Sequence, residues 1–124
     1  DLLDEVRRMA AWVARHQNKT GLWPCYLKEP VVPPDTSGSA GIAAALALAA
    51  RSGLADAASR TTAERARDEL IRCLTPDGWL TGVSQSNKPQ THAMDIQRSP
   101  YRVIGPWGMG LLAQLLAALD AAAP

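Results

Sequence analysis

Five residues of this 124-residue chain are candidates for acid–base chemistry, namely three of its eight aspartates and both of its histidines. Asp35, Asp77 and Asp95 lie outside the predicted helix surfaces, and His16 and His92 could exchange a proton near neutral pH. Two of the aspartates also have structural interpretations, because Asp35 can cap a helix and Asp77 stands in a Pro-Asp-Gly turn. No spacing joins the five residues into a catalytic set, so the sequence offers candidates without a mechanism.

Familiar catalytic and cofactor motifs are absent from the sequence. It holds no G-x-S-x-G nucleophile elbow, no H-E-x-x-H pair and no glycine-rich phosphate loop after a strand pattern. Cys25 and Cys73 lack metal-ligand spacing, so we expect no metal and no cofactor. Two free thiols in a reducing compartment are expected, with a disulfide as the alternative. Close helix packing explains four helical glycines better than phosphate binding does: Gly38, Gly41, Gly108 and Gly110.

Hydroxyl, aromatic and cationic residues stand at the ends of the predicted loops, beside helix N-termini. Such termini present free N–H groups and favour anions. If two of them open into one cavity, these side chains could bind a carboxylated sugar, since the Arg102 fork matches two carboxylate oxygens. Three structural alternatives remain. The Ser and Thr hydroxyls could only cap the helix N-terminus, Arg102 could form an ion pair with a nearby acid, and Trp23 could fill the end of a helix pair. The candidate substrate-binding residues are Trp23, Thr36, Ser37, Tyr101, Arg102 and Trp107.

A pattern used twice indicates how these residues are positioned. Residues 16–23 and 73–80 each follow a helical stretch, turn on a glycine and carry a tryptophan one or two residues later. The two glycines, Gly21 and Gly78, are 57 residues apart. That period suits a repeated helix–loop–helix unit, which buries its apolar faces only against neighbours. The pattern predicts two adjacent units of a larger helical ring or stack.

Apolar periodicity predicts an all-α fold with one domain over residues 1–124. A capping box at residues 61–64 opens the third helix, and Pro106 opens the last one. The proline-rich residues 22–34 should lie along the surface as an extended ribbon, and residues 75–105 should be irregular. The four main helices are predicted at about residues 2–17, 37–52, 62–74 and from 106 onward.

Composition excludes several classes of partner. The net charge is +1, with 47% hydrophobic and 20% charged residues, as in ordinary globular proteins. Because the basic residues are dispersed, we expect no nucleic-acid partner. No apolar run reaches the length of a membrane span, and the chain shows no signal peptide, so we expect no membrane partner and a cytoplasmic location.

The order of the motifs resembles glycoside hydrolase families 88 and 105, the unsaturated glucuronyl and unsaturated rhamnogalacturonyl hydrolases. Asp35 stands where glutamate is usual in these families, a change that keeps the helix cap. The resemblance covers nearly the whole chain and rests on Gln17, residues 21–23, residues 35–40, residues 77–78, residues 99–102 and residues 107–110.

The resemblance implies an (α/α)6 barrel of six helical hairpins, of which this chain would be the C-terminal portion. It implies removal of a 4,5-unsaturated uronic acid from an oligosaccharide, with an aspartate protonating the vinyl-ether double bond and activating a water. In these families that aspartate lies in the N-terminal half, and no matching tract occurs here. We therefore expect a fragment that is inactive alone; the alternative is a non-catalytic toroid-type carbohydrate-binding or assembly module.

The same resemblance predicts that copies of this chain associate with one another. In a complete ring each hairpin is covered on both sides, so the first and last helices of this chain would lack partners. The leucines of residues 111–119 form a stripe too broad for one contact, and such patches rarely stay exposed on a soluble monomer. We expect a homodimer or a larger oligomer that buries these helices.

Overall fold

The computed structural model describes residues 1–29, 31–85 and 93–121, so the candidate His92 lies outside the described residues. The fold is all-α, as predicted. Within those ranges, β pairing is limited to three isolated residue pairs. No helix among the described residues is long and apolar enough to cross a membrane. The helices are α1 (Leu2–Arg15), α2 (Thr36–Arg51), α3 (Ala57–Arg72), α4 (Ala93–Arg98) and α5 (Pro106–Asp120).

Capping side chains decide where the long helices begin. The carboxylate of Asp1 caps α1 by accepting the N–H groups of the first turn, and Pro106 opens α5 as predicted. The carboxylate of Asp56 accepts the N–H of Ser59 at 3.0 Å. Because Asp56 is the cap, α3 begins five residues before its predicted start, and the predicted capping box at residues 61–64 is wrong.

Two loop predictions also need correction. The described residues of the 22–34 stretch do not form a surface ribbon: Leu22 and Val32 are buried, and Pro24 pairs with Pro34 across the closed loop. The stretch predicted to be irregular over residues 75–105 contains the short helix α4.

The helices form an inner pair and an outer pair. The inner helices α2 and α5 carry one charged residue each, Arg51 and Asp120, whereas α1 and α3 carry many charges. A Cβ added to Gly41 of α2 would lie 3.4 Å from the Leu111 side chain of α5. This contact confirms the close packing predicted for Gly41.

A second contact fixes the direction of the inner helices. A Cβ added to Gly108 would lie 3.6 Å from the Cβ of Ser37, one turn before the Gly41 contact. Ser37 precedes Gly41 in α2, and Gly108 precedes Leu111 in α5. Because the two contacts follow the same order along both helices, α2 and α5 are parallel, with their N-termini at one end. Helix packing does not explain the other two glycines: Gly110 has no neighbour within 4 Å, and Gly38 lies against the Asp35 carboxylate.

The repeated motif forms the same turn twice. The N–H of Asn18 donates to the Leu22 carbonyl at 2.9 Å, and the N–H of Thr75 donates to the Trp79 carbonyl at 2.8 Å. In each turn the side-chain oxygen of the first residue accepts the N–H of the last, at 3.0 and 2.9 Å. The two glycines of the motif have φ values of +99° and +89°, a region that glycine adopts at least cost. The chain is therefore built from two equivalent units, α1–α2 and α3–α5.

The apolar helix faces are only partly covered. Leu70 and Leu115 are fully buried, but Ile71 and Leu116 on the same helices are 48% and 41% exposed. In α1 only Ala10 is buried. The core lies between α2, α3 and α5, and both flanks of the two-unit structure expose apolar side chains.

Candidate functional site

The loops that precede α2 and α5 meet at one end of the fold, which we call the mouth; its described residues are 22–29, 31–36, 74–85 and 99–107. The N–H of Thr36 donates to the Gly82 carbonyl at 3.1 Å, and Val83 and Val103 exchange two backbone hydrogen bonds of 3.0 and 2.8 Å. The predicted substrate-binding residues at the N-termini of α2 and α5 therefore share one end of the molecule.

Asp35 holds the centre of the mouth together. Its carboxylate accepts the N–H groups of Ser37 and Gly38 at 3.1 and 2.9 Å, and the Ser37 hydroxyl at 2.8 Å. It also accepts the N–H of Ser84 from the neighbouring loop at 2.9 Å. Four donors on one carboxylate support the structural interpretation of Asp35, as a helix cap that also anchors a loop.

The hydroxyl groups of the candidates Thr36 and Ser37 donate to acceptors inside the protein. Thr36 and Ser37 are 3% and 4% exposed. The Thr36 hydroxyl donates to the Thr81 carbonyl at 2.7 Å, and the Ser37 hydroxyl donates to Asp35. Both hydroxyls are therefore engaged within the protein in this structure, and a sugar contact at these residues stays a prediction.

Trp23 is a core residue. Its side chain is 1% exposed, and its Nε1–H donates to the Val13 carbonyl at the end of α1, at 2.9 Å. Its backbone N–H donates to the buried Ser39 hydroxyl at 2.9 Å. This placement fits the alternative interpretation, a tryptophan that plugs the end of a helix pair, and the sugar contact at Trp23 stays a prediction.

Arg102 binds main-chain carbonyls. Its half-buried guanidinium donates to the carbonyl oxygens of Pro33 at 2.9 Å and Pro34 at 3.2 Å. It also donates to those of Ser99 and Tyr101, at 2.7 and 2.9 Å. In this structure the four carbonyls occupy the guanidinium, and a uronate contact at Arg102 stays a prediction. Arg102 joins the loop before α2 to the loop before α5.

Replacing Arg102 by lysine should destabilise the mouth. A single ammonium cannot reach all four carbonyls, so we expect a loss of about 1–3 kcal/mol in the free energy of unfolding, measured with urea. Arg98→Lys, at an exposed ion pair, should have a smaller effect. Equal effects of the two substitutions would contradict the assigned role of Arg102.

Two of the six candidates face outward at the mouth. Tyr101 and Trp107 are 60% and 44% exposed. The Trp107 ring lies over Gly105, where an added Cβ would be 2.7 Å from it, so glycine is required for this ring position. Exposed aromatic faces held in place by the backbone can stack on flat, partly apolar ligands.

The candidate set leaves out a third exposed ring at the mouth, that of Trp79. Superposing the two turns on their glycines aligns Trp79 with Leu22 and aligns Leu80 with Trp23. Trp23 and Leu80 are buried, whereas Trp79 is 49% exposed. The alignment of the two turns is the feature that distinguishes Trp79. The second residue after the glycine is buried in both units, whereas the first residue is buried in one unit and exposed in the other.

An ion pair at the rim was also missed. The Arg98 guanidinium donates to both carboxylate oxygens of Glu29, at 2.7 and 2.6 Å, and lies 5.5 Å from the centre of the Tyr26 ring. The hydrogen bonds from Arg98 lower the pKa of Glu29 below its usual value, and the pKa of Arg98 is raised. This pair ties the loop before α2 to α4.

The remaining acid–base candidates are dispersed. Asp77 accepts the Thr75 hydroxyl at 2.6 Å inside its turn, His16 Nδ1 lies 2.7 Å from the Trp12 carbonyl, and Asp95 is exposed on α4. The structure does not assemble them with one another.

The two cysteines are free thiols, each half-buried. Burial raises the pKa of both, and the nearby Asp35 carboxylate raises that of Cys25 further. In the ranges that the structure describes, His, Cys, Asp and Glu side chains form no group of three able to hold a metal ion.

The sequence matches one family of known proteins and is similar to a member of a related group. The sequence pattern of Glycosyl Hydrolase Family 88 matches residues 1–122. The unsaturated rhamnogalacturonyl hydrolase YesR of Bacillus subtilis (strain 168) is 27% identical over 112 residues, which are 90% of this chain and 31% of YesR. The chain thus spans about one third of the length of that relative.

Two solved structures have the same fold. A possible member of the GH105 family from Salmonella enterica serovar Paratyphi A superposes with a TM-score of 0.84 at 24% identity, over 94% of this chain and 31% of that protein. A possible member of the same family from Klebsiella pneumoniae gives 0.81 at 24% identity, with the same two coverages. These neighbours are (α/α)6 toroids, so the two units described above are part of such a toroid. Together with the match over residues 1–122, this shows that the chain belongs to Glycosyl Hydrolase Family 88.

Proposed function

We propose that residues 1–124 are the C-terminal portion of an unsaturated uronyl hydrolase-type barrel. Its substrate would be an oligosaccharide ending in a 4,5-unsaturated uronic acid. The observation that carries this proposal is the family match over residues 1–122, supported by two hairpin units whose inner helices are parallel. The relative YesR bears the name of an unsaturated rhamnogalacturonyl hydrolase, which supports the substrate class.

The contribution of this chain would be one wall of the mouth. Tyr101 and Trp107 are the two predicted residues that remain open to a sugar, and Trp79 adds a third ring at the same end. Asp35 and Arg102 would act as positioning residues, since one holds the start of α2 and the other joins the two mouth loops. Neither carries a free group toward a ligand.

The 124-residue chain alone should not hydrolyse an unsaturated disaccharide. The aspartate that the family resemblance assigns to protonation has no matching tract here, and Asp35 already accepts four hydrogen bonds. The measurement is the ultraviolet absorbance of the substrate double bond, which should stay constant with purified chain. Sustained loss of absorbance above that of a Trp107→Ala control would contradict the proposed inactivity.

A non-catalytic carbohydrate-binding module is the second candidate. The three exposed rings at the mouth favour it, because aromatic faces bind sugars without any catalytic group. Titrating the chain with the unsaturated disaccharide and with its saturated counterpart, followed by tryptophan fluorescence, distinguishes the two. Saturable binding of both sugars without turnover would favour the module, and binding of the unsaturated sugar only would favour the hydrolase fragment.

A further inference from the structure

The short helix α4 lies against the loop before α2, at the rim of the mouth. The Arg98 guanidinium donates to both carboxylate oxygens of Glu29, at 2.7 and 2.6 Å. The Cys25 thiol donates to the side-chain oxygen of Gln97 at 3.3 Å, and the Gln97 amide donates to the Gln85 carbonyl at 3.1 Å. Among the described residues, hydrogen bonds and an ion pair thus hold α4 on the neighbouring loops.

These contacts of α4 are accessible to water. The α4 side chains that the structure describes, residues 95–98, are exposed or half-buried, and none of them belongs to the hydrophobic core. Arg98 is 40% exposed and Glu29 is 34% exposed. A segment held by exposed polar contacts opens at a lower free energy than the core does. The helix α4 can therefore leave its position while α2, α3 and α5 stay folded.

The chain that follows α4 is held more firmly. The half-buried Arg102 donates to the carbonyls of Pro33 and Pro34 at 2.9 and 3.2 Å. Val103 exchanges two backbone hydrogen bonds with Val83. Only residues 99–101 separate α4 from these contacts. Motion of α4 would therefore pivot at residues 99–101, with Arg102 as a fixed point.

We propose that α4 is a hinged lid at the mouth, with the Glu29–Arg98 ion pair as its latch and Arg102 as its anchor. In the closed position, Gln97 contacts the Cys25 thiol, and its carbonyl lies 3.5 Å from Arg102 Nη2. Opening would withdraw Gln97 and expose the loop before α2 to water. Because salt weakens an exposed ion pair, ionic strength would control the opening. All of these contacts lie within the chain, so the lid depends neither on the proposed reaction nor on what covers the two flanks.

The rate at which an aromatic disulfide reagent labels Cys25 tests the lid, because opening removes Gln97 from the thiol. Glu29→Gln and Arg98→Gln each break the latch, and each should speed the labelling of Cys25 about two- to five-fold, the range expected from an exposed ion pair. The labelling of Cys73, a half-buried thiol at the end of α3, should not change. Mass spectrometry of peptides from the quenched reaction measures the two thiols separately.

Two controls distinguish opening of the lid from a change in local charge. The latch substitutions change the charge near Cys25 in opposite directions, so an electrostatic effect on the thiol alone would speed labelling in one variant and slow it in the other. Glu64→Gln is the matched control, since it breaks an ion pair with Arg60 on α3 whose exposures, 35% and 42%, are similar to those of the latch. It should leave the labelling of Cys25 unchanged.

Salt gives an independent measurement on the unaltered chain. At about 1 M salt the screening length falls to about 3 Å, so the Cys25 rate of the parent should rise to that of the latch variants. The rates of the variants should change little. Equal Cys25 rates in the parent and both latch variants, opposite changes in the two variants, or a rise at both cysteines would each overturn the proposal; the last would show unfolding of the whole chain instead of a lid.

Discussion

Replacing Trp23 by alanine should lower the free energy of unfolding by about 3–5 kcal/mol, the usual loss for a large aromatic side chain removed from a core. The side chain is 1% exposed, and the substitution also leaves the Val13 carbonyl without its Nε1–H donor. Because a domain of this size has only about 5–15 kcal/mol of stability, much of it would be lost.

Trp79→Ala is the matched control for this prediction. Trp79 stands at the neighbouring position of the equivalent turn and is 49% exposed, so its removal should change stability by about 0.5 kcal/mol or less. Urea unfolding followed by circular dichroism at 222 nm measures both without depending on tryptophan emission. Equal losses at the two positions would show that Trp23 does not anchor the core in solution.

The repeat was the part of the fold most accessible from sequence. A glycine with positive φ after an amphipathic helix leaves a local signal, and the turns at Gly21 and Gly78 have the geometry that this signal predicts. The starts of α2 and α5 were equally local, because Asp35 and Pro106 act on the first turn of their own helices. In both cases the determining interaction spans only a few residues.

Tertiary context decided what the sequence left open. The start of α3 is an exception, because Asp56 caps it through a local contact five residues before the start predicted from the capping box at residues 61–64. Ile71 fits a helical apolar face but is 48% exposed. Apolar periodicity shows which residues could be buried, and the neighbouring helices determine which of them are.

The sequence predicted where the candidate site lies better than it predicted what each residue does there. The N-termini of α2 and α5 do share one end, as the binding hypothesis requires. The sequence could not show that Arg102 would bind carbonyls of two proline residues, since its partners at Pro33 and Pro34 lie 69 and 68 residues away along the chain. Main-chain acceptors leave no trace in side-chain patterns, so a structural arginine and a ligand-binding arginine look alike in sequence.

Asp35→Ala should cost about 2–4 kcal/mol of stability, more than the loss of a helix cap alone. Removing a capping carboxylate costs about 0.5–2 kcal/mol. Here the same carboxylate also accepts the Ser84 N–H at 2.9 Å, and an unpaired, partly buried N–H adds about 1–3 kcal/mol. Asp56→Ala is the matched control, because Asp56 caps α3 through Ser59 alone and reaches no second loop.

The comparison of the two aspartates isolates the loop contact from the cap. If Asp35 joins the mouth, Asp35→Ala should lose more stability than Asp56→Ala in urea unfolding. It should also increase hydrogen exchange at the Ser84 N–H, a change that loss of an isolated cap would not produce at a distance of 49 residues along the chain. Asp35→Asn retains an acceptor oxygen but not the charge, so its loss should lie between those of the parent and the alanine variant. Equal losses for the two alanine variants, with Ser84 exchange unchanged, would mean that Asp35 only caps α2 and that Arg102 and the Val83–Val103 pair hold the mouth without it.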